Sequence, residues 1–160
     1  MTDFLICKDA PDQQIVFGWA QVYKDKDGRI LVDHDEDFIS SSEELEKAAY
    51  DFVLKSRDGG EMHVRKGVST LVESIVFTKE KMQMMGIPEG HLPEGWFVGF
   101  KVHDDDVWKR VKKGEYPMFS VHGKGKRRRT ARPQNASLAK SKTLRTGTQN
   151  AIEKARNRHG

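Results

Sequence analysis

Residues 13–32 read QQIVFGWAQVYKDKDGRILV, and this stretch decides the fold class. Two apolar runs rich in β-branched and aromatic residues flank a polar segment that ends in Asp27-Gly28. Asp-Gly between two such runs is a strong signal for a β-hairpin. The stretch therefore predicts a strand, a turn at residues 25–28 and a second strand.

The chain after this hairpin alternates between helix and strand signals. Ser41 or Ser42 can cap a helix with an apolar stripe from Leu45 to Val53, and Gly59-Gly60 is expected to end it. β-Branched residues on both sides of Gly67 predict two strands or one bent strand. Further along the chain, the sequence predicts a buried strand at 96–103, a short helix at 104–116 and a last strand at 116–123. The fold class predicted from these elements is α+β and mostly β.

Composition and charge divide the chain into a body and a tail. The single cysteine, Cys7, excludes a disulfide within the chain, and no apolar run is long enough to span a membrane. Residues 124–160 hold twelve basic residues and one acidic residue, whereas residues 1–123 hold 16 basic and 23 acidic ones. We therefore expect a domain at 1–125 and a basic tail at 126–160, flexible or partly helical, that meets a polyanion, an acidic partner or its own body.

Ser120, His63 and Glu73 are the residues that could carry nucleophilic catalysis. This chemistry needs a hydroxyl, a base that takes its proton, and a third group that orients the base. His63 precedes a predicted strand, Glu73 lies in LVESIVF, and Ser120 precedes a Gly-x-Gly break whose backbone amides could meet an anion. Each also has an ordinary explanation, as a surface imidazole, a salt-bridged carboxylate and a strand hydroxyl. Their spacing alone does not define a triad.

Several separate segments, in the same order, resemble the phage prohead (head-maturation) serine proteases, in the branch typified by the Bacillus prophage XkdF protein. The resemblance covers about residues 12–125. It is carried by AAYDFVL leading to Met62-His63, VESIVFT, GWFVGFKV, and the G-x-Y-x-x-F-S approach to Ser120. It implies a fold like that of the herpesvirus assemblins, a closed and mainly antiparallel β-barrel flanked by helices. It also implies a serine endopeptidase inside the procapsid, in the host cytoplasm, without cofactor or metal.

The resemblance assigns roles residue by residue. Ser120 matches the nucleophile, His63 the general base and Glu73 the acidic third member, while the backbone amides of Val121 and Gly123 are expected to hold the oxyanion. His122 stands where the family has a small turn residue. It is either an accessory catalytic group or a substituted turn residue. The implied substrates are the phage scaffold protein, the major capsid protein and the chain itself, and a homodimer is an implied option.

Two other functional classes stay open at the level of sequence. One is a catalytically silent head-assembly or nucleic-acid-binding protein on the same fold. Its tail would bind DNA or an acidic scaffold through charge, because residues 123–134 contain no aromatic side chain to stack on bases. The other is a metal-dependent hydrolase using the acidic runs at 33–37 and 103–106. Such runs are more often solvated turns or helix N-termini.

Overall fold

The computed structural model describes residues 6–10, 13–33, 37–61, 65–116, 119 and 130–138. Seven strands form one sheet in the order β4-β5-β6-β2-β3-β7, with β1 as a further partner of β2. All pairs are antiparallel except β3 with β7. The elements in chain order are β1 (Ile6–Ala10), β2 (Ile15–Lys24), β3 (Ile30–Val32), α1 (Ser42–Lys55), β4 (Asp58–Glu61), β5 (Arg65–Phe77), α2 (Lys79–Met84), β6 (Glu94–Val102), α3 (Asp105–Lys112) and β7 (Ala136–Leu138).

The β2–β3 hairpin forms as predicted, and its turn is held by one buried carboxylate. Asp25 is 8% exposed, and its Oδ1 accepts hydrogen bonds from the backbone N–H groups of Asp27 at 3.0 Å and Arg29 at 2.9 Å. Burial opposes ionisation of Asp25, but the hydrogen bonds from Arg29 outweigh it and lower the pKa of the carboxyl group. Gly28 has a φ of 77°, a left-handed conformation that favours glycine. The turn predicted at 25–28 is confirmed.

One face of the sheet carries the main core. α1 packs on this face through Leu45 and Ala49, which are 3% and 1% exposed. Phe52 of the same helix lies edge-on to two rings of β6, with centroid distances of 5.5 Å to Trp96 and 6.4 Å to Phe100. The buried residues of β6 on this face alternate along the strand, as expected for side chains of a pleated sheet. They are Trp96, Val98, Phe100 and Val102.

The opposite face of the sheet carries a smaller aromatic cluster. Trp19 of β2 lies 5.3 Å from Phe97 of β6 and 5.6 Å from Phe77 of β5, measured between ring centroids. Offset and edge-to-face ring pairs at these distances add about 0.5–1.5 kcal/mol each to the burial of their area. Both faces of the central strands are therefore packed at this end of the sheet, which holds β2, β5 and β6 in register.

The two longer helices both begin at a capping side chain, of which Ser41 is one of the two predicted serines and Asp104 is an addition from the structure. The side chain of Ser41 accepts from a first-turn backbone N–H of α1 at 3.3 Å, and Oδ1 of Asp104 accepts from two such groups of α3 at 3.0 Å. The predicted end of the first helix is wrong. α1 ends at Lys55, and Gly59-Gly60 lie in strand β4, where close packing requires Gly59.

The α+β class and the mainly antiparallel sheet are confirmed, but the closed barrel is wrong. β4 and β7 lie at opposite ends of the strand order, and no pairing among the described residues joins them. Closure requires strands that tilt and stagger around a complete ring. The strands at the two ends of this order, β4 and β7, have only four and three residues, so each offers about 10–13 Å of edge.

Part of the segment predicted as a basic tail belongs to the sheet. β7 pairs in parallel with β3, and Nδ2 of Asn135 donates to the backbone carbonyl of Gly28 at 3.2 Å. The rest of the tail is predicted to be flexible or partly helical. Its residues 126–129 and 139–160 lie outside the described residues. In the described part of the chain, no helix combines the length and the apolar character needed to cross a membrane.

Candidate active site

The structure describes only some of the predicted catalytic residues. Ser120 and the three following positions, Val121, His122 and Gly123, lie outside the described residues, and so does His63. Glu73 is described, and so is Phe119, which directly precedes Ser120 in the chain. The site is therefore built from the elements that lead into Ser120 and His63.

The approach to Ser120 is anchored to the main core by Phe119. Its ring is half-buried and lies 5.6 Å from the ring of Phe100, centroid to centroid. Three residues earlier, the hydroxyl of Tyr116 accepts a hydrogen bond from Nη1 of Arg110 in α3 at 3.0 Å. The chain before Ser120 is thus attached at one point to β6 and at another to α3.

The approach to His63 is anchored to the same aromatic ring. His63 lies between β4 and β5, whose adjoining ends, Glu61 and Arg65, are register partners. Gly59 of β4 packs so closely on its neighbours that an added Cβ would lie 2.9 Å from Cδ1 of Phe100 and 2.0 Å from Oγ of Ser69. Contacts under 3.0 Å require a neighbour to move, so a larger residue at this position would displace the side chain of Ser69 or Phe100.

Phe100 therefore contacts both approaches. The Phe100 ring lies against Phe119, which is one residue before Ser120 in the chain. It also lies against Gly59, which is four residues before His63. Successive α-carbons are 3.8 Å apart, and four extended residues span at most about 14 Å. The fold thus brings the strand leading to His63 and the residue before Ser120 onto one side chain of β6.

Glu73 lies on the other face of the sheet. Strict alternation along β5 would place Leu71 and Glu73 on one face, but the register shifts between them, with Leu71 opposite Phe100 and Glu73 opposite Gly99. A Cβ added to Gly99 would lie 3.2 Å from Cβ of Glu73 and 2.9 Å from the ring of Phe17, so these three positions share a face. Leu71 consequently faces the main core and Glu73 faces away from it.

The stretch of β5 around Glu73 is largely exposed. Glu73 is exposed, and its neighbour Val72 is 50% exposed. The polar role in this strand belongs to Ser74, whose Oγ accepts a hydrogen bond from Nε1 of the buried Trp96 at 2.8 Å. The sequence LVESIVF contains no glycine or proline that would indicate the register shift.

A cavity of about 320 Å³ adjoins Phe119, and it is a feature that sequence reasoning missed. Its walls come from β2, β3 and residues 37–39 as well as from Phe119. These segments are up to 100 positions apart in the chain, and each has the pattern of ordinary strand or loop sequence. Only their packing shows that they line a common space beside Phe119.

Sequence comparisons assign this chain to a class of phage proteins. The model of the family described as "Putative phage serine protease XkdF" matches residues 3–129, more than three quarters of the chain. The chain belongs to this family, which confirms the resemblance inferred from the sequence segments.

A similar protein comes from Bacillus subtilis (strain 168). It bears the name "Uncharacterized protein YqbD" and is 29% identical to this chain over 151 residues. The match covers 93% of this chain but 42% of that relative, so the chain spans less than half of the relative's length. No solved structure matches the chain.

Proposed function

We propose that the chain is a serine endopeptidase of phage head maturation, acting inside the procapsid. Its substrates would be the scaffold protein, the leader segment of the major capsid protein, and the chain itself. Membership of a family described as phage serine proteases supports the reaction class. The structural observation that carries the proposal is the position of Phe100, which contacts the residue before Ser120 and the strand that leads to His63.

The proposed mechanism is acyl transfer. The imidazole of His63 takes the proton of Ser120, and the serine oxygen attacks the scissile carbonyl carbon. The backbone N–H groups of Val121 and Gly123 donate to the oxyanion of the tetrahedral intermediate. The intermediate collapses, the amine leaves with a proton from His63, and water then hydrolyses the acyl-enzyme. A positioned base contributes about 10²–10⁴-fold, and one oxyanion donor contributes about 10²–10³-fold.

The third catalytic residue stays a prediction. A carboxylate at Glu73 would orient His63, but its exposure and its position on the face away from Phe119 do not favour that role. Glu73→Gln tests the assignment, because loss of an orienting carboxylate lowers kcat by about 10⁴-fold in the triad of chymotrypsin-like enzymes. A loss under tenfold would remove Glu73 from the mechanism. His122→Ala distinguishes an accessory group from a turn residue in the same assay.

The decisive experiment is coexpression of the chain with the scaffold and major capsid proteins of the same phage. Mass spectrometry of all three proteins would identify new termini. We expect cleavage by the unmodified chain and, for Ser120→Ala, a rate lower by more than about 10³-fold. His63→Ala should cause a comparable loss, because the two residues act as a unit.

The matched control is Ser74→Ala, which removes another hydroxyl from the domain. Ser74 binds the Trp96 indole, so its loss should lower thermal stability and leave the cleavage pattern unchanged. Unchanged cleavage in Ser120→Ala would refute the protease proposal.

A second candidate function rests on charge. Residues 124–160 hold twelve basic side chains against one acidic one, and they would bind DNA or an acidic scaffold with a strong dependence on salt. The test should delete 139–160 and replace the basic residues at 124–129 with Gln, because this removes most of the positive charge and keeps β7, which is paired with β3. Loss of DNA retention with intact cleavage would assign nucleic-acid binding to the tail. Loss of neither would refute this second function.

A further inference from the structure

The cavity beside Phe119, hereafter the Phe119 cavity, has a mostly apolar wall. Its volume is about 320 Å³, whereas an engineered cavity of about 150 Å³ holds a benzene molecule. It therefore has room for a phenyl or branched aliphatic side chain. The apolar lining residues are Trp19, Ala20, Val22, Leu31, Phe38, Ile39 and Phe119.

The walls of this cavity are held in place by contacts outside it. Phe119 is fixed by the ring of Phe100. The loop that carries residues 38 and 39 is closed by two hydrogen bonds. The backbone N–H of Asp37 donates to Oδ1 of Asp33 at 2.8 Å, and the backbone N–H of Asp33 donates to the carbonyl of Asp37 at 3.0 Å. A preformed apolar space of this kind is typical of a ligand site.

The cavity also adjoins the residue that directly precedes the proposed nucleophile in the chain. Phe119 is one of its walls and the chain neighbour of Ser120, so the two α-carbons are about 3.8 Å apart. A peptide whose scissile carbonyl reaches Ser120 therefore passes beside this space. A side chain a residue or two from the scissile bond can enter it.

We propose that the Phe119 cavity is the specificity site of the protease. It takes one large apolar side chain, that of Leu, Ile, Met or Phe, from a polypeptide near the bond that is cut. This inference rests on the proposed protease function and extends it to the class of substrate. One methylene in an apolar pocket changes kcat/KM by about 10–200-fold, so replacing the large side chain with Ala is expected to cost at least that factor.

Ala20 is the wall residue that offers the sharpest test. It lies at the register shift of β2, between Trp19 and Gln21, and has no partner in β6. Ala20→Leu would place an isobutyl group in the cavity and compete with the substrate. Leu31→Ala has the opposite effect on cavity volume, because it removes side-chain atoms from the wall and enlarges the space. Leu54→Ala is the control, since Leu54 is 77% exposed on α1 and does not line the cavity.

The assay uses a library of peptides made by digesting a bacterial proteome, with cleavage sites identified by mass spectrometry. For the unmodified chain we expect one position near the cut to be enriched at least tenfold in Leu, Ile, Met or Phe over Ala and Gly. Ala20→Leu should shift that position to small residues, with a loss of about 10–100-fold for the large ones. Leu31→Ala should extend the residue preference at that position to Trp and Tyr. Leu54→Ala should leave the preference unchanged. Circular dichroism confirms that each variant is folded.

The outcomes separate this inference from the function it rests on. Ser120-dependent cleavage without an apolar preference overturns the specificity site and leaves the protease proposal standing. The specificity site is likewise overturned if folded Ala20→Leu and Leu31→Ala variants both keep the original preference. Cleavage that persists in Ser120→Ala, or no cleavage by the unmodified chain, overturns both.

Discussion

Gly59→Ala is the substitution that best tests the packing around Phe100. The new Cβ would lie 2.0 Å from Oγ of Ser69 and 2.9 Å from Cδ1 of Phe100, so both side chains would have to move. Ser69 and Phe100 are each 8% exposed, so both are buried among neighbours that resist this movement. Overpacking of a well-packed site costs about 1–3 kcal/mol. At about 2–4 °C per kcal/mol for a chain of this size, the melting temperature should fall by about 2–12 °C.

A double-mutant cycle isolates the cause of this loss. Ser69→Ala removes the atom at 2.0 Å, so Gly59→Ala should cost less in that background, with an interaction free energy of about 0.5–2 kcal/mol. Urea titrations followed by circular dichroism supply the four free energies of unfolding. The remaining contact with Phe100 should also displace Phe119 and lower the rate of scaffold cleavage beyond what the loss of folded protein explains.

The control for this cycle is Gly114→Ala. Gly114 has a φ of 72° and no atom within 4 Å of an added Cβ, so its cost comes from backbone conformation alone. That cost should add to the cost of Ser69→Ala without interaction. Additivity of Gly59→Ala with Ser69→Ala would refute the steric explanation.

Three further predictions concern single interactions. Ser74→Ala removes the hydrogen-bond acceptor of the Trp96 indole N–H and should cost about 0.5–1.5 kcal/mol in urea unfolding, since Ser74 is exposed. The hydrogen bond from Lys81 lowers the pKa of Glu46. The pair therefore stabilises the fold above about pH 5, by up to about 1 kcal/mol. This stabilisation is lost as the pH falls through the lowered pKa of Glu46. Glu46→Gln should therefore flatten the acid side of a plot of melting temperature against pH. Asp104→Ala removes the N-cap of α3 and should cost about 0.5–2 kcal/mol, measured by thermal unfolding.

Each of these predictions has a result that contradicts it. Equal stability of Ser74→Ala and the unmodified chain would mean that water replaces the serine as the partner of the indole. An unchanged acid limb in Glu46→Gln would show that the ion pair contributes nothing to folding. Asp104→Asn should retain most of the stability, because asparagine is an equally good cap, and a loss as large as that of Asp104→Ala would refute the capping explanation.

The sequence by itself determined the features that depend on neighbouring residues. The turn at 25–28 follows from Asp27-Gly28 between apolar runs, the start of α1 follows from the serines at 41–42, and the start of α3 follows from the acidic residues at 104–106. The order of its segments also identified the family. The assignments to Ser120 and His63 rest on that resemblance and stay predictions.

The tertiary structure decided what depends on contacts between distant segments. The register shift in β5 turned Glu73 away from the face that holds Phe119, although strict alternation places it beside Leu71. The open sheet follows from short outer strands, and the parallel pairing of β7 with β3 draws part of the predicted tail into the fold. The role of Phe100 and the Phe119 cavity arise from β2, β3, β4 and β6 together. Caps and turns are stabilised by interactions between residues that are close in the sequence. A strand register or a cavity is set by packing between strands that are distant in the sequence, so no single stretch of the chain determines it.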